Sequence, residues 1–434
     1  MMQILEALIL TLFLFGVLSL GVSVAVTLII VGIAGLVVLT TAPLGPVIST
    51  AVWGSTTSWT LAALPLFIWM GEILFRTRLS QDMFAGLTPW VNRLPGGLLH
   101  VNNVGSGIFA AVSGSSAVTA ATIGRISLPE LRSRGYPDRL AVGTLAGAAT
   151  LGFLIPPSIP LIVYGVGAEV SIARLFIAGL VPAAIILLSF MVLTGIWAAL
   201  RSDMPKESEA FGIRAKLMAL VYLLPVVTLM VVVIGSIYAG WATPTESAAV
   251  GVLGALILSA ATGSLTRKGL VESMFGAART TCMIGFIVAG AQVMTVMFAY
   301  TKIPINLANF VASLDLHPYV FILVLTFFYL LIGCILEGIS IMVLSAAIFV
   351  PVVSQMGFDL IWFGIYLVIM IELALITPPI GFNLFVIQQI SKRDIFFVAV
   401  AALPFFAVLL AVTAIITIWP ETVLWLPDQM MNRD

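Results

Sequence analysis

Residues 151–160 read LGFLIPPSIP and residues 373–382 read LALITPPIGF, and these two stretches decide the fold of the 434-residue chain. Each places a Pro-Pro pair inside a long apolar segment. Proline lacks a backbone N–H and clashes with the carbonyl four residues before it, so each pair interrupts a helix. Because an unpaired carbonyl in a bilayer costs several kcal/mol, two such breaks indicate that the freed oxygens have a use. A kink that only shapes packing is the alternative.

The composition predicts a helical membrane protein with several spans. Hydrophobic residues make up 61% of the chain and charged residues 9%, whereas about a quarter of the residues in soluble domains are charged. Residues 4–40 contain one charge, Glu6. Since a span needs about 20 apolar residues, this stretch is long enough to cross a bilayer twice.

The same composition argues against several classes of function. The net charge is zero and no basic patch of the nucleic-acid-binding type is present, so we expect no nucleic-acid partner. The sequence has no Walker motif for ATP and no H-E-x-x-H zinc motif. Its two histidines, His100 and His317, are far apart. We therefore expect that the protein is not an enzyme.

The positive charges predict the orientation of the spans. The first Lys or Arg is Arg76, and later clusters follow at 125–139, 201–216, 267–268 and 392–393. The positive-inside rule places all of these in the cytoplasm. This arrangement predicts an N-terminus on the outer side of the membrane.

A shift of 222 residues aligns the two Pro-Pro pairs. The same shift aligns Pro129 with Pro351 and Gly135 with Gly357. Repeats with broken helices are typical of secondary transporters, whose binding site lies near the midplane between the two copies. Freed carbonyl oxygens suit hard cations such as sodium, which take oxygen ligands.

A broken, apolar segment precedes each Pro-Pro span, over 101–124 and 320–356, and fits a re-entrant hairpin in each copy. For either segment alone, an ordinary span whose small residues pack against neighbouring helices is an equal alternative. The loop after the first hairpin, 125–139, contains four arginines, whereas its counterpart, 347–361, contains no Lys or Arg. The positive-inside rule therefore predicts that the two copies cross the membrane in opposite senses.

Longer stretches resemble a known family. The resemblance runs in order over roughly residues 10–420 and is carried by FAAVSGSSAVTAATIGRISLPELRSRGYP (109–137), GTLAGAATLGFLIPPSIPLIVYG (143–165), ATPTESAAVGVLGALI (242–257), LIGCILEGISIMVLSAAIFVPVV (331–353) and IELALITPPIGFNLFVI (371–387). These segments resemble the large membrane subunit of tripartite ATP-independent periplasmic (TRAP) transporters. The resemblance implies an all-α polytopic fold with inverted-topology repeats, two re-entrant helical hairpins and two broken helices. It also implies an elevator-type division into a scaffold and a mobile transport domain.

The division implied by the resemblance has five parts. They are N-terminal scaffold spans (1–78), a first transport half with an arm, hairpin and broken helix (79–165), further scaffold spans (166–262), an arm with the second transport half (263–394), and a C-terminal span and tail (395–434). The amphipathic segments 79–100 and 264–280 fit arms that lie along the membrane surface.

The resemblance also implies a set of ligand-binding residues. At least two sodium ions are expected, the first held by Ser113, Ser116, Gly152, Ile155 and Pro157, and the second by Gly333, Ala374, Thr377 and Ile380. Contacts to substrate are expected from Ser115, Glu337, Gly338 and Asn383. Ala374 stands where glycine is common in the family. Glu337 stands where the family usually has Asp, and helix capping or hairpin locking is an equal alternative for it.

The function implied is sodium-coupled import of a small carboxylate, dicarboxylate or sialic-acid-like, across the bacterial inner membrane, with the N-terminus in the periplasm. The expected partners are a small membrane subunit and a periplasmic substrate-binding protein. The alternatives are a sodium-coupled carboxylate transporter without a binding protein, and an anion channel. Glu246, in the sequence TPTE, is expected to cap a helix start rather than to serve as a functional membrane carboxylate.

Overall fold

The structure is a computed structural model that describes residues 2–77, 79–205, 211–334, 336–378 and 381–431. Within these ranges the chain forms α-helices with short connections, and no β-strand is present. The helices of the first half are α1 (Met2–Ser19), α2 (Val24–Leu39), α3 (Leu44–Thr56), α4 (Ala63–Phe75), α5 (Leu79–Val91), α6 (Leu99–Ser113), α7 (Ser116–Ser133), α8 (Asp138–Ala149), α9 (Ile159–Gly167) and α10 (Ile172–Ala199).

The helices of the second half follow in a similar order. They are α11 (Ile213–Tyr238), α12 (Pro244–Ala261), α13 (Arg267–Thr301), α14 (Ile303–Ser313), α15 (Pro318–Ile332), α16 (Gly338–Gln355), α17 (Leu360–Leu375), α18 (Phe382–Ser391), α19 (Ile395–Ile418) and α20 (Glu421–Met431).

The long helices have the length and composition of membrane spans. Six of those in the described residues pass this test, namely α10, α11, α12, α13, α16 and α19, and the pair formed by α3 and the segment Trp59–Phe75, bent by 47°, would make a seventh. On α11, Leu217, Val221 and Leu224 lie on one face at helical spacing and are exposed, as expected for a face that contacts lipid. The protein is therefore an all-helical, multi-pass membrane protein.

Both predicted Pro-Pro breaks are present. A short 3-10 turn, Thr150–Phe153, ends α8, and the chain becomes helical again at Ile159. We call residues 150–158 the first break. In the second half α17 ends at Leu375 and α18 begins at Phe382. We call residues 376–381 the second break; its Pro379 and Ile380 lie outside the described residues.

Each break is preceded by a helical hairpin. Hairpin 1 consists of α6 and α7, joined at Gly114, whose φ of 55° is left-handed and suits glycine. The Ser115 side chain accepts a hydrogen bond from the Val118 backbone N–H and so begins α7. Hairpin 2 consists of α15, which ends at Ile332, and α16, which begins at Gly338. Each connection lies within the segment, 101–124 or 320–356, that the sequence predicts to be broken.

The shift of 222 residues relates helices as well as prolines. It carries α7 onto 338–355, which are the bounds of α16, and it carries the start of α8 onto the start of α17. It also carries α5 onto 301–313, which contains α14.

The segment 264–280 differs from the predicted surface arm. Residues 267–301 form the single helix α13, 35 residues long, or about 52 Å at 1.5 Å per residue. This helix packs along α2, α3 and α4. The amphipathic residues at the start of α13 are thus continuous with a long helix. Packing against these neighbours continues the helix where the sequence pattern alone favours a stop.

The two helices that end at the breaks lie at the centre of the protein. Every residue of α8 from Leu140 to Ala149 is buried, and so is every residue of α17 from Ile361 to Leu375. A helix that is apolar on all sides is normally buried. Glu372 is nevertheless part of this fully buried stretch of α17, and it leads directly to the candidate site.

Candidate functional site

The turn of hairpin 1 packs directly on the first break. A Cβ built on Gly152 would lie 2.5 Å from Ser116 Cα, and one built on Gly114 would lie 2.8 Å from the carbonyl oxygen of Pro157. Neither position has room for a side chain. The structure thus brings together the hairpin turn and the break that carry the first set of predicted sodium ligands.

The carbonyl oxygens at this contact have free acceptor capacity. No described residue donates a hydrogen bond to the carbonyls of Gly152, Ile155 or Pro157, whereas the carbonyl of Phe153 accepts from Ser158 Oγ. Buried carbonyls normally have a partner. Neutral oxygens of this kind fit a hard cation, so the residues present are compatible with the predicted first sodium site.

The second break has a different hydrogen-bond pattern. The Thr377 N–H donates to Ala374 O at 3.1 Å, and the Gly381 N–H donates to Thr377 O at 3.0 Å. Thr377 Oγ1 donates to Leu373 O at 2.6 Å. Leu373 O also accepts from the Ile376 N–H at 3.2 Å, whereas Thr377 O keeps a second lone pair for a ligand. Ile380, the last predicted ligand of this site, lies outside the described residues.

Hairpin 2 packs against the end of α17 and against the second break. A Cβ built on Gly333 would lie 2.0 Å from the Cβ of Ala374. The methyl of Ala374 therefore occupies the space that a side chain at Gly333 would need. Cys334 Sγ lies 3.7 Å from Pro378 O in the same contact.

Glu372 joins the two halves, and the sequence analysis missed it. Its Oε1 accepts a hydrogen bond from the Phe153 N–H at 2.9 Å, and its Oε2 lies 2.9 Å from Ser116 Oγ. The Glu372 side chain is 1% exposed. A lone acid within an apolar membrane segment is costly unless it has partners, and this signal was available in IELAL at 371–375.

Asn383 bonds within the protein. Its Nδ2 donates to Ser116 Oγ at 2.6 Å, and its Oδ1 is buried without a partner among the described residues. Asn383 is predicted to contact substrate, and Ser116 is predicted to bind sodium. The structure places them in direct contact, at the wall of a cleft.

This cleft lies between the hairpin turns and the helices α4 and α13, and has a volume of about 310 Å³. Four predicted substrate-contact residues line it, together with the predicted sodium ligand Ser113: Ser113, Ser115, Glu337, Gly338 and Asn383. On the opposite wall α4 contributes Glu72, next to a close approach where a Cβ on Gly71 would lie 2.9 Å from Val112 O. The described lining contains two carboxylates and no Lys, Arg or His.

Glu337 lies at the N-terminus of α16, at the N-cap position. Its Oε1 accepts a hydrogen bond from Ser340 Oγ at 2.9 Å. The side chain is exposed and lines the cleft. Glu337 is therefore positioned both to steady the turn and to contact a molecule in the cleft.

Glu246 has the helix-capping role that its sequence predicts. Thr243 and Glu246 form a reciprocal capping box at the start of α12, in which the Thr243 N–H donates to Glu246 Oε2 at 2.8 Å. This arrangement satisfies backbone donors that a helix start leaves unpaired.

A larger cavity of about 600 Å³ lies between α1, α13, α14, α15 and α16, with a mainly apolar lining that includes Leu14, Phe298 and Phe349. No charged residue is among its described lining. The smaller cleft has the polar groups that fix a ligand's orientation, and it is the candidate site.

The contact between Gly333 and Ala374 generates a prediction about stability. Gly333→Ala should destabilise the protein by about 1–3 kcal/mol, the usual cost of overpacking, because its methyl would overlap that of Ala374. Ala374→Gly removes the obstacle, so the double variant should unfold at a higher temperature than Gly333→Ala alone. Thermal unfolding of the purified variants measures this, and a double variant no more stable than Gly333→Ala would contradict it.

Comparison with known proteins agrees with the sequence resemblance. Over residues 11–422 the chain matches the family described as tripartite ATP-independent periplasmic transporter, DctM component. It is 34% identical over 373 residues to the C4-dicarboxylate TRAP transporter large permease protein DctM of Pseudomonas aeruginosa, a match that covers 85% of this chain and 86% of the relative. It is 29% identical over 420 residues to the sialic acid TRAP transporter large permease protein SiaM of Vibrio cholerae, with 96% and 97% covered.

A solved structure shares the fold. The YdaH transporter of Alcanivorax borkumensis superimposes with a TM-score of 0.65 at 14% sequence identity, covering 92% of this chain and 97% of that chain. At this identity the likeness concerns the fold alone. The family match, by contrast, spans nearly the whole chain and confirms the family predicted from the sequence. The chain therefore belongs to the DctM family, the large permease components of tripartite ATP-independent periplasmic transporters.

Proposed function

We propose that this permease imports a small organic anion across the bacterial inner membrane, coupled to sodium, by an elevator movement of the hairpins and breaks against α4 and α13. The relatives' names include C4-dicarboxylate and sialic acid, and a carboxylate of this class is the proposed substrate. The observation that carries the proposal is the charge of the cleft, whose described lining has two carboxylates and no cationic side chain.

Such a cleft repels an anion unless cations are bound nearby. Two unit charges 4 Å apart interact by about 4 kcal/mol at an effective dielectric constant of about 20. Sodium ions at the two breaks would supply positive charge beside Ser115 and Asn383. The N-termini of α7 and α16, which begin at the hairpin turns, add the positive ends of helix dipoles. The anion would therefore bind only after the cations.

The packing supports an inverted repeat. The shift of 222 residues relates contacts between helices as well as single helices. The contact of α2 with α13 corresponds to the contact of α12 with α4, and that of α8 with α19 corresponds to that of α17 with α10. In the same way, the contact of α5 with α11 corresponds to that of α14 with α1, and the contact of α7 with α18 to that of α16 with α9. Two structurally equivalent halves of this kind are the usual basis of alternating access.

Ion pairs support the proposed topology. Asp138 pairs with Arg132 and Arg393, which the positive-inside rule places together in the cytoplasm. Arg76 likewise pairs with Glu272 at 2.8 Å. Since Glu72 is one turn from Arg76 and lines the cleft, we propose that the cleft opens toward the cytoplasm in this conformation. The N-terminus would then be periplasmic.

The packing of α13 on α2, α3 and α4 bears on the proposed domains. It favours grouping α13 with the scaffold, so that the second transport half would begin near residue 302 rather than at 263. The other proposed boundaries, at 78, 165 and 394, are unchanged. The proposed partners are a small membrane subunit, which the term large permease in the relatives' names implies, and a periplasmic substrate-binding protein.

Uptake measurements test the proposal directly. In proteoliposomes containing this permease, its small subunit and the binding protein with its ligand, uptake should require an inward sodium gradient and should saturate. Replacing sodium by choline at constant ionic strength should reduce initial rates at least tenfold. Uptake unchanged in choline would contradict sodium coupling, and an unsaturable anion conductance would favour a channel.

A comparison of two acids tests the cleft. Glu337→Ala should lower sodium-driven uptake at least tenfold, because it removes the bond to Ser340 that steadies the hairpin 2 turn and the charge that keeps an anion out of the ion-free cleft. Glu246→Ala is the matched control: loss of its capping box should cost about 0.5–2 kcal/mol of stability, with uptake per folded protein within about twofold of wild type. A larger loss of uptake in Glu246→Ala than in Glu337→Ala would contradict this assignment.

Labelling of single cysteines tests the inverted repeat. In a variant with Cys282 and Cys334 replaced by serine, Glu130→Cys should react with an impermeant maleimide only from the cytoplasmic side. Gln355→Cys, at the equivalent end of α16, should react only from the periplasmic side. Reaction of both from one side would rule out opposite orientations.

A further inference from the structure

We infer that Glu372 is a positioning residue that couples the two sodium sites, so that an ion at one break changes the affinity for an ion at the other. This inference rests on the sodium coupling proposed above. Glu372 belongs to the second half but makes both of its side-chain contacts in the first half, with Phe153 and Ser116.

Each contact of Glu372 lies at the first site. The Phe153 N–H that it accepts belongs to the residue after Gly152, and Ser116 is itself a predicted ligand. Glu372 is also two residues before Ala374, a predicted ligand of the second site. Because α17 is buried on every side from Ile361 to Leu375, a shift of its end cannot be absorbed by a mobile surface.

The hydrogen bonds of Ser116 make this contact responsive to an ion. Ser116 Oγ lies 2.9 Å from Ala149 O and 2.9 Å from Glu372 Oε2, and it receives Asn383 Nδ2 at 2.6 Å. A hydroxyl has one hydrogen and two lone pairs, so its hydrogen can serve Ala149 O or Glu372 Oε2 at any moment, and Asn383 leaves one lone pair for an ion. A sodium ion on that lone pair would fix the orientation of the hydroxyl and so decide which of the two acceptors receives its hydrogen.

Of these two acceptors, Ala149 lies in the first half and Glu372 in the second. Glu372 lies near the end of α17, just before the second break at residues 376–381. An ion at the first site therefore changes the hydrogen bond that holds the end of α17 beside the second break. Thermodynamic linkage requires the reverse effect to be equal.

The chain offers a closely matched control on the same helix. Tyr366 lies on α17 and is fully buried, and its hydroxyl lies 2.8 Å from Thr326 Oγ1 on α15. That bond stays within the second half. Tyr366→Phe removes a buried hydrogen bond of α17 without touching the connection between halves, so it reports what loss of stability alone does.

Thermal unfolding of the purified full chain, titrated with sodium chloride against choline chloride at constant ionic strength, tests the inference. Wild type should be stabilised by sodium with a Hill coefficient above one. Glu372→Met, similar in length but unable to hydrogen-bond, should give a Hill coefficient of one and a several-fold higher midpoint. Glu372→Gln should also lower the Hill coefficient and raise the midpoint, because an amide whose oxygen accepts from Phe153 turns its NH₂ toward Ser116, where it occupies the lone pair left for the ion. Tyr366→Phe should unfold at a lower temperature with an unchanged Hill coefficient.

Several outcomes would overturn the inference. A wild-type Hill coefficient of one would do so, as would Glu372→Met or Glu372→Gln with the wild-type coefficient and midpoint. If Glu372→Met does not fold, Glu372→Asp replaces it, since its shorter side chain should lose one contact and lower the Hill coefficient. If sodium does not stabilise the wild type at all, the proposed sodium binding is wrong. If Glu372→Met keeps the cooperative response to sodium, only the role of Glu372 is wrong.

Discussion

The structure depends on what becomes of backbone carbonyls when proline interrupts a helix inside a bilayer. In lipid every such oxygen must be satisfied within the protein, so the chain keeps both breaks away from lipid. The hairpin turns cover them at contacts too close for side chains, as at Gly114, Gly152 and Gly333. The helices that lead into the breaks, α8 and α17, are buried on all sides for the same reason. The breaks thus dictate which elements must lie at the centre.

The two halves share a backbone plan but differ in their chemistry. Residues related by the shift of 222 are Ser116 and Gly338, Gly152 and Ala374, and Thr150 and Glu372. Thr150 Oγ1 only bonds to Gly147 O in its own helix, at 2.6 Å, whereas Glu372 reaches into the other half. Two side chains of the second half, Glu372 and Asn383, meet Ser116 of the first half. An approximate symmetry of fold therefore contains an asymmetric connection at this point.

Features set by a few neighbouring residues could be predicted from the sequence. The Pro-Pro breaks, the hairpin turns and the capping box of Glu246 all follow from local backbone chemistry. Glu372 was missed because its partners, Phe153 and Ser116, are 219 and 256 residues away, and one sequence does not reveal such a pairing. The extent of α13 was misjudged for a related reason, since its continuity reflects packing against α2 and α4. The sodium and substrate residues stay predictions, although most of them meet at the two contacts between hairpin and break.

The absence of a cationic side chain from the described lining of the cleft bears on how coupling would be enforced. A fixed arginine would bind an anion whether or not sodium were present, and the loaded carrier could then move without its ions. Glu72 and Glu337 do the opposite, because they raise the free energy of an anion in the ion-free cleft. With charge supplied by bound sodium alone, the anion can occupy the site only in the company of the ions that drive its uptake. In the proposed mechanism, the repulsion of an anion from the ion-free cleft is thus the feature that prevents transport without sodium.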